Sequence, residues 1–205
     1  NNATMKKFFS IIAILFCMVA ATGCEDFLDT ENLTKKDTSN FPKNPDDMDQ
    51  LLVGVYSMIG RCEPLGFSYF ISELMSDNCF GGGDNADKSC KAIDQFKKSS
   101  EDMFRWSWRA RYMGIYRANF LLSQMDNIEW DSQEHRDAVE GECRMMRAFF
   151  YFDLSRMFGE VPLVTTPEAV NIPKNPAAET YAFIASDLVA AINKMPATKV
   201  TDMPR

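Results

Sequence analysis

The sequence contains a single histidine, His135. That scarcity excludes any metal or catalytic site built on two imidazoles, and it leaves a Ser-His-Asp triad only one candidate base. Basic residues are also in short supply. The chain has 22 Lys plus Arg against 29 Asp plus Glu, a formal charge of -7. Nucleic acid is therefore not an expected partner, because binding it needs a concentrated basic surface. Among the six cysteines no C-x-x-C pair occurs, so the sequence carries no zinc or thiol-redox motif, and no metal or other cofactor is expected. Gly81-Gly82-Gly83 is not followed by Gly-Lys-Ser/Thr, which excludes a phosphate loop. No apolar run has the roughly 20 residues of a membrane-spanning helix. What is present is ordinary globular composition, 46% hydrophobic and 25% charged. It excludes a disordered, collagen-like or coiled-coil protein. A chain of 205 residues is enough for one domain, or a little more, with a sizeable core.

The N-terminal segment reads as an address. Met5-Lys6-Lys7 has the form of a start with a short basic region, preceded by Asn1 to Thr4. Phe8 to Ala21 is apolar apart from Ser10, too short to span a bilayer and of the length of a signal-peptide apolar region. It ends in Ala21-Thr22-Gly23-Cys24. Small residues before a cysteine resemble the lipobox of bacterial lipoproteins, with Ala21 where leucine is usual. The expectation is that residues 1–23 are upstream residues plus a signal peptide, and that Cys24 carries palmitate and anchors the chain to a membrane. Removing residues 1–23 takes away two lysines and no acid, so the mature chain is more acidic still. Glu25-Asp26-Phe27-Leu28-Asp29 resembles the surface-export signal of some Gram-negative lipoproteins, and also fits a plain solvated linker. Of the other cysteines, Cys79 and Cys90 flank a glycine-rich loop as candidates for a disulfide, which an exported location permits. Cys143 falls mid-helix on an apolar face and reads as a small core residue.

The rest predicts an all-α domain. Residues 24–45 are polar and read as a tether, and residues 46–205 as the folded part. Asp46 or Asp47 is the expected cap of a helix running to about Ile59, ended by Gly60. Phe67 to Met75 is a short helix or a buried strand, with helix favoured. Ser76 to Lys91 shows no periodicity and predicts a loop. Phe104, Trp108, Tyr112, Ile115, Asn119 and Leu122 form a helical stripe within about 102–125. Val139, Cys143, Met146, Phe150, Leu154 and Met157 form another within about 133–158. A third helix begins at Pro176 after the cap candidate Asn175, with Tyr181, Ile184, Leu188, Ala191 and Met195 as its apolar face. Val161-Pro162-Leu163-Val164 is a short extended run between the last two. Paired amphipathic helices with short turns predict tetratricopeptide-like hairpins in a repeat-like array, although the tetratricopeptide signature itself is not met. The chain ends soon after a helix without a capping element, so the domain is expected to be incomplete at its C-terminus.

Several stretches, in order, resemble the SusD/RagB family of outer-membrane nutrient-binding lipoproteins. They are Cys24-Glu25-Asp26-Phe27-Leu28-Asp29, Tyr112 to Asn119, Gly141 to Leu154, Phe158-Gly159-Glu160-Val161-Pro162-Leu163, and Glu179-Thr180-Tyr181 through Asp187-Leu188 to Met195-Pro196. The resemblance implies an all-α superhelical scaffold in a surface-exposed lipoprotein of the cell outer membrane. It further implies a non-enzymatic role in polysaccharide utilisation: capture of an oligosaccharide and its delivery to a SusC-like TonB-dependent transporter. Peptide capture of the RagB type is the alternative within the family. A surface glycan hydrolase is the rival outside it, opposed by the lack of a nucleophile motif or metal cluster. The resemblance further implies that the family's C-terminal half, which would supply much of the ligand platform, is expected to be missing from this chain.

The candidate ligand residues are Asp77, Asn78, Phe80, Asp84, Asn85 and Trp106. The Asp and Asn side chains suit hydroxyl pairs, and aromatic rings stack on the apolar faces of sugars. The resemblance loosely supports the loop, since family sites draw on a loop in this part of the chain. The same composition also fits an ordinary surface turn. Trp108 lies on the core stripe, and Trp130 sits where it can staple the helix after it. His135 reads as a solvated surface residue. Arg144, Arg147 and Arg156 read as helix-face ion pairs and snorkelling cover.

Overall fold

The computed structural model describes residues 41–60, 68–76, 78–84, 87–97, 104–168 and 171–195. The signal segment, Cys24 and most of the tether lie outside the described residues.

Six α-helices order the described chain. The first, α1, is Pro45–Gly60. Its cap is Asn44, not Asp46 or Asp47: Asn44 Oδ1 accepts the Asp47 amide at 2.9 Å. Proline at the first helical position gives up a hydrogen bond that no helix makes there, and it moves the cap one residue earlier. The Asp47 carboxylate reaches back to accept the Lys43 amide at 2.9 Å. Helix α2 is Ser68–Leu74. Helix α3, Lys88–Asp94, occupies the end of the segment that the sequence predicts as loop. Seven residues are too few for a periodic signal. Packing of Ile93 on Ile71 and Leu74 holds this helix in place.

The long helices fall near their predicted limits. Helix α4 is Arg105–Gln124, passing into a 3-10 turn at Met125–Asn127. Helix α5 is Gln133–Phe158, capped by Ser132, whose hydroxyl accepts the His135 amide at 3.1 Å. Gly159 ends it at φ +75°, a left-handed value that favours glycine. Helix α6 is Ala177–Lys194. Between α5 and α6 a two-stranded antiparallel ribbon pairs β1, Val161–Pro162, with β2, Lys174–Asn175. Asn175 does not cap α6. Its amide accepts the Leu163 backbone N–H at 3.1 Å and donates to Glu179 at 2.8 Å, so it ties the ribbon to the helix start instead.

The last three helices pair antiparallel in succession. Along α4 and α5, Arg111 meets Asp153 while Asn119 meets Arg147. Along α5 and α6, Tyr151 meets Phe183 while Asp137 meets Lys194. Helix α1 runs parallel to α5, where Asp49 bonds His135 and Tyr56 donates to Glu142 at 2.9 Å. Met48, Leu52, Val55 and Met58 of α1 join Ile115 and Leu121 of α4 in one core with the α5 stripe. Val139, Cys143, Met146, Phe150 and Leu154 of that stripe are buried, as its spacing predicts. The seam between α4 and α5 is close because Ser107, Ala110, Gly114 and Ala118 are small. A Cβ on Gly114 would lie 2.4 Å from the Phe150 ring.

Two expectations fail at the polar seams. The buried face of α6 is Thr180, Ile184, Asp187 and Ala191, whereas Tyr181 and Leu188 face outward. The cause is Arg147, which is buried rather than snorkelling. Its Nε and Nη2 donate to the two Asp187 oxygens at 2.7 and 2.8 Å, and its Nη1 donates to Asn119 at 2.7 Å. Arg144 braces the same carboxylate at 3.1 Å and Glu140 at 2.8 Å. Arg144, in its ion pair with Glu140 one turn earlier, and Arg156, lying 4.8 Å over the Phe152 ring and bonded to Asp153, behave as the helix pattern predicts. No helix among the described residues is long and apolar enough to cross a membrane.

Candidate functional site

The candidate site is built at the end of the molecule where α2 and α3 meet the start of α4. Ile71, Leu74 and Ile93 form a small apolar cluster, joined by Phe104 just before α4 and by Met157 near the end of α5. This cluster seats the loop between α2 and α3. Gly81 lies hard against α3, so that a Cβ there would be 2.5 Å from the Cys90 carbonyl and 2.7 Å from Asp94 Cβ. Gly82 adopts φ +93°, and a Cβ on it would strike the Asp87 side chain. The Asp87 carboxylate accepts the Gly83 amide at 3.1 Å, and Lys91 Nζ donates to the Asp84 carbonyl at 2.6 Å. These glycines are required by close packing, and the loop is folded onto a helix rather than hung from it.

That scaffold presents most of the described candidates to solvent. Phe80 is 76% exposed, and Asn78 and Asp84 are exposed beside it. Asp77 and Asn85 lie outside the described residues. Trp106 projects from the first turn of α4, 65% exposed, with the Arg109 guanidinium 5.8 Å from its ring. Phe104, two residues earlier, packs in the cluster under the loop, so Trp106 is carried to the same end of the molecule. Among the described residues no ring contact or hydrogen bond joins Trp106 to the loop.

The other aromatics of the sequence reading are structural. Trp108 packs edge-on to Phe158 at 5.0 Å and against Tyr112 at 4.8 Å. Trp130 donates its indole N–H to the Met125 carbonyl at 2.9 Å and stands edge-on to His135 at 5.4 Å. One exposed aromatic carries no sequence signal. Phe96 follows the short helix α3, belongs to no periodic pattern, and is 71% exposed with φ +51°.

The ionisable groups are tied into structure. Cys79 and Cys90 are both free thiols, not a disulfide. Cys79 is exposed, whereas Cys90 turns onto the Ile71–Leu74–Ile93 cluster. Burial, then the Asp87 charge, raise the Cys90 pKa. Burial pushes the Cys143 thiol up to about 12, in keeping with a core residue. His135 is not a solvated surface residue. Its Nε2 meets Asp49 of α1 at 3.0 Å and its Nδ1 meets Asp131 at 2.9 Å. Burial lowers its pKa, but these carboxylates outweigh burial and leave it above the ordinary value.

Comparison with known proteins places this arrangement among its relatives. A SusD-like family model described as "Starch-binding associating with outer membrane" matches residues 26–204. A SusD-like protein, P25, of Formosa agariphila is 25% identical over 173 residues, covering 78% of this chain and 32% of its own length. The solved structure of a laminarin binding SusD-like protein superposes with a TM-score of 0.68 at 29% identity, over 78% of this chain and 36% of that one. Surface glycan-binding protein A from Bacteroides fluxus shares the fold, with a TM-score of 0.64 at 24% identity over 73% of this chain and 33% of that one. The chain spans between 32% and 39% of the length of the curated relatives it matches.

Proposed function

The chain belongs to the SusD-like family, and from that premise we propose that it is the N-terminal part of a glycan-binding lipoprotein of the outer membrane. It captures an oligosaccharide at the cell surface and passes it to a SusC-like TonB-dependent transporter. Its role is binding, not bond cleavage. The family match over residues 26–204 carries the proposal. Exposed rings at Phe80 and Trp106, with Asn78 and Asp84 near Phe80, support the location of the ligand surface. The C–H-rich face of a pyranose stacks on an aromatic ring, and its hydroxyls exchange hydrogen bonds with short polar side chains.

The test is direct binding to polysaccharides. The full-length protein is titrated with laminarin and with soluble starch by calorimetry. A variant carrying Asp77→Ala, Asn78→Ala and Phe80→Ala is titrated alongside. It is expected to bind at least about tenfold more weakly, ~1.4 kcal/mol. Its melting should change little, because Asn78 and Phe80 are exposed. Shortened glycan products after incubation with the pure protein would instead make it a hydrolase. Unchanged affinity of the triple variant would move the ligand surface off this loop.

A further inference from the structure

We propose that the seam between α5 and α6 holds an ordered internal water, bound between the hydroxyls of Ser155 and Thr180.

The register of the seam brings these two side chains to the same level. Arg147 pairs with Asp187 through Nε and Nη2 at 2.7 and 2.8 Å. Ser155 lies eight residues beyond Arg147 on α5, and Thr180 lies seven residues before Asp187 on α6. Each step is close to two helical turns, about 12 Å and about 10.5 Å at about 1.5 Å per residue. The helices are antiparallel, so both steps run the same way along the seam, and the two residues reach one level to within about 1.5 Å. Contacts on either side fix that level. On one side the Tyr151 and Phe183 rings meet edge-on with centroids 5.5 Å apart. On the other, Val161 pairs with Asn175 in the ribbon. Ser155 falls between Tyr151 and Val161, and Thr180 between Asn175 and Phe183.

Both hydroxyls are buried, and the protein satisfies neither. Ser155 is 5% exposed and Thr180 is fully buried. Among the described residues, Ser155 Oγ and Thr180 Oγ1 have no hydrogen-bond partner. Other helix hydroxyls of this chain turn back on their own backbone. Ser57, Ser123 and Ser186 each donate to the carbonyl three residues earlier, at 2.8, 2.7 and 2.8 Å. Ser155 and Thr180 forgo that local bond.

A buried hydroxyl without a partner costs free energy, and an apolar side chain of similar size escapes that cost. Two such hydroxyls at one level of a helix seam are what a bridging water satisfies. Each has one donor hydrogen and two lone pairs, so a water accepts from one and donates to the other. Internal waters make two to four such bonds and are costly to remove. This one ties the first turn of α6 to the last turn of α5, beside the ribbon. The seam is then held by polar groups along its length: Lys194 to Asp137, Asp187 to Arg147 and, through the water, Thr180 to Ser155.

A high-resolution crystal structure of the full chain is the first test. One water is expected within about 2.6–3.2 Å of both Ser155 Oγ and Thr180 Oγ1. Hydroxyls bonded directly to one another, or a seam with no water between them, would overturn the proposal. Urea unfolding of Ser155→Ala, Thr180→Val and the double variant is the second test. Each single substitution is expected to lower the midpoint, because it leaves the water and the remaining hydroxyl short of a partner. The double variant is expected to lose less than the two singles combined. The coupling should be about fivefold in the unfolding equilibrium constant, a size typical of groups in one hydrogen-bond network. Additive losses would mean that the hydroxyls act separately. A single variant more stable than wild type would mean that its hydroxyl has no partner to lose. Either result overturns the bridge.

Discussion

At His135, two carboxylates compete with burial for the state of one imidazole. Burial favours the neutral ring, while hydrogen bonds and charge from Asp49 and Asp131 favour the protonated one and prevail. The folded protein therefore holds this proton more tightly than the unfolded chain does. The stabilisation is fully present below the unfolded value near 6.5 and is lost as pH rises through the raised folded value. His135→Gln should thus cost most stability at about pH 5.5–6 and progressively less towards about pH 8. Urea midpoints of wild type and variant across that range measure the difference, and a pH-independent gap would show that the bridge from α1 to α5 does not depend on charge. The bridge is invisible in sequence because Asp49 and His135 lie 86 residues apart. His135 looks solvated when only Glu134, Arg136 and Asp137 are considered. Phe150 is the opposite case: its place on a run of apolar residues at helical spacing announces its burial, and the structure leaves it 2% exposed. Phe96 resembles neither, since its exposure and its backbone angle have no local pattern to betray them.

Among the elements, apolar periodicity located the long helices and misjudged the faces that polar residues control. Helix α5 follows its stripe because Val139, Cys143, Met146, Phe150 and Leu154 are all apolar and all buried. Helix α6 is rotated from its predicted face because Asp187, a residue that reads as solvent-exposed, turns inward to meet Arg147. On α4, small residues and the buried Arg111 line the seam, and neither contributes to a hydrophobic stripe. Helix α3, at seven residues, is too short to leave a periodic signal. The Arg147 guanidinium links α5 to α6 through Asp187 and to α4 through Asn119, so one ionic group sets the spacing of three helices. Asp187→Ala leaves Arg147 buried without its anion. Breaking a buried pair from one side costs about 3–5 kcal/mol. The urea midpoint should fall accordingly. A loss below about 1 kcal/mol, the range of exposed ion pairs, would mean that water or another acid takes over the role of Asp187.

At the scale of the whole molecule, the proposed attachment to the outer membrane needs an anchor. The described helices offer no segment able to cross one. Charge offers no alternative: a chain of formal charge -7 is repelled by anionic lipid rather than drawn to it. The apolar segment Phe8 to Ala21, ending in Ala21-Thr22-Gly23-Cys24, is the pattern from which we propose lipidation of Cys24. A single acyl chain binds membranes only marginally, so stable retention implies more than one chain on that cysteine. The full-length protein, expressed in a Gram-negative host that processes lipoproteins, should sediment with membranes through a high-salt wash and be released by detergent. It should also incorporate labelled palmitate. Cys24→Ala should move it to the soluble fraction without changing its thermal melting, because the substitution lies outside the described helices. If the variant stays with the membrane and the wild type takes up no palmitate, the anchor lies elsewhere.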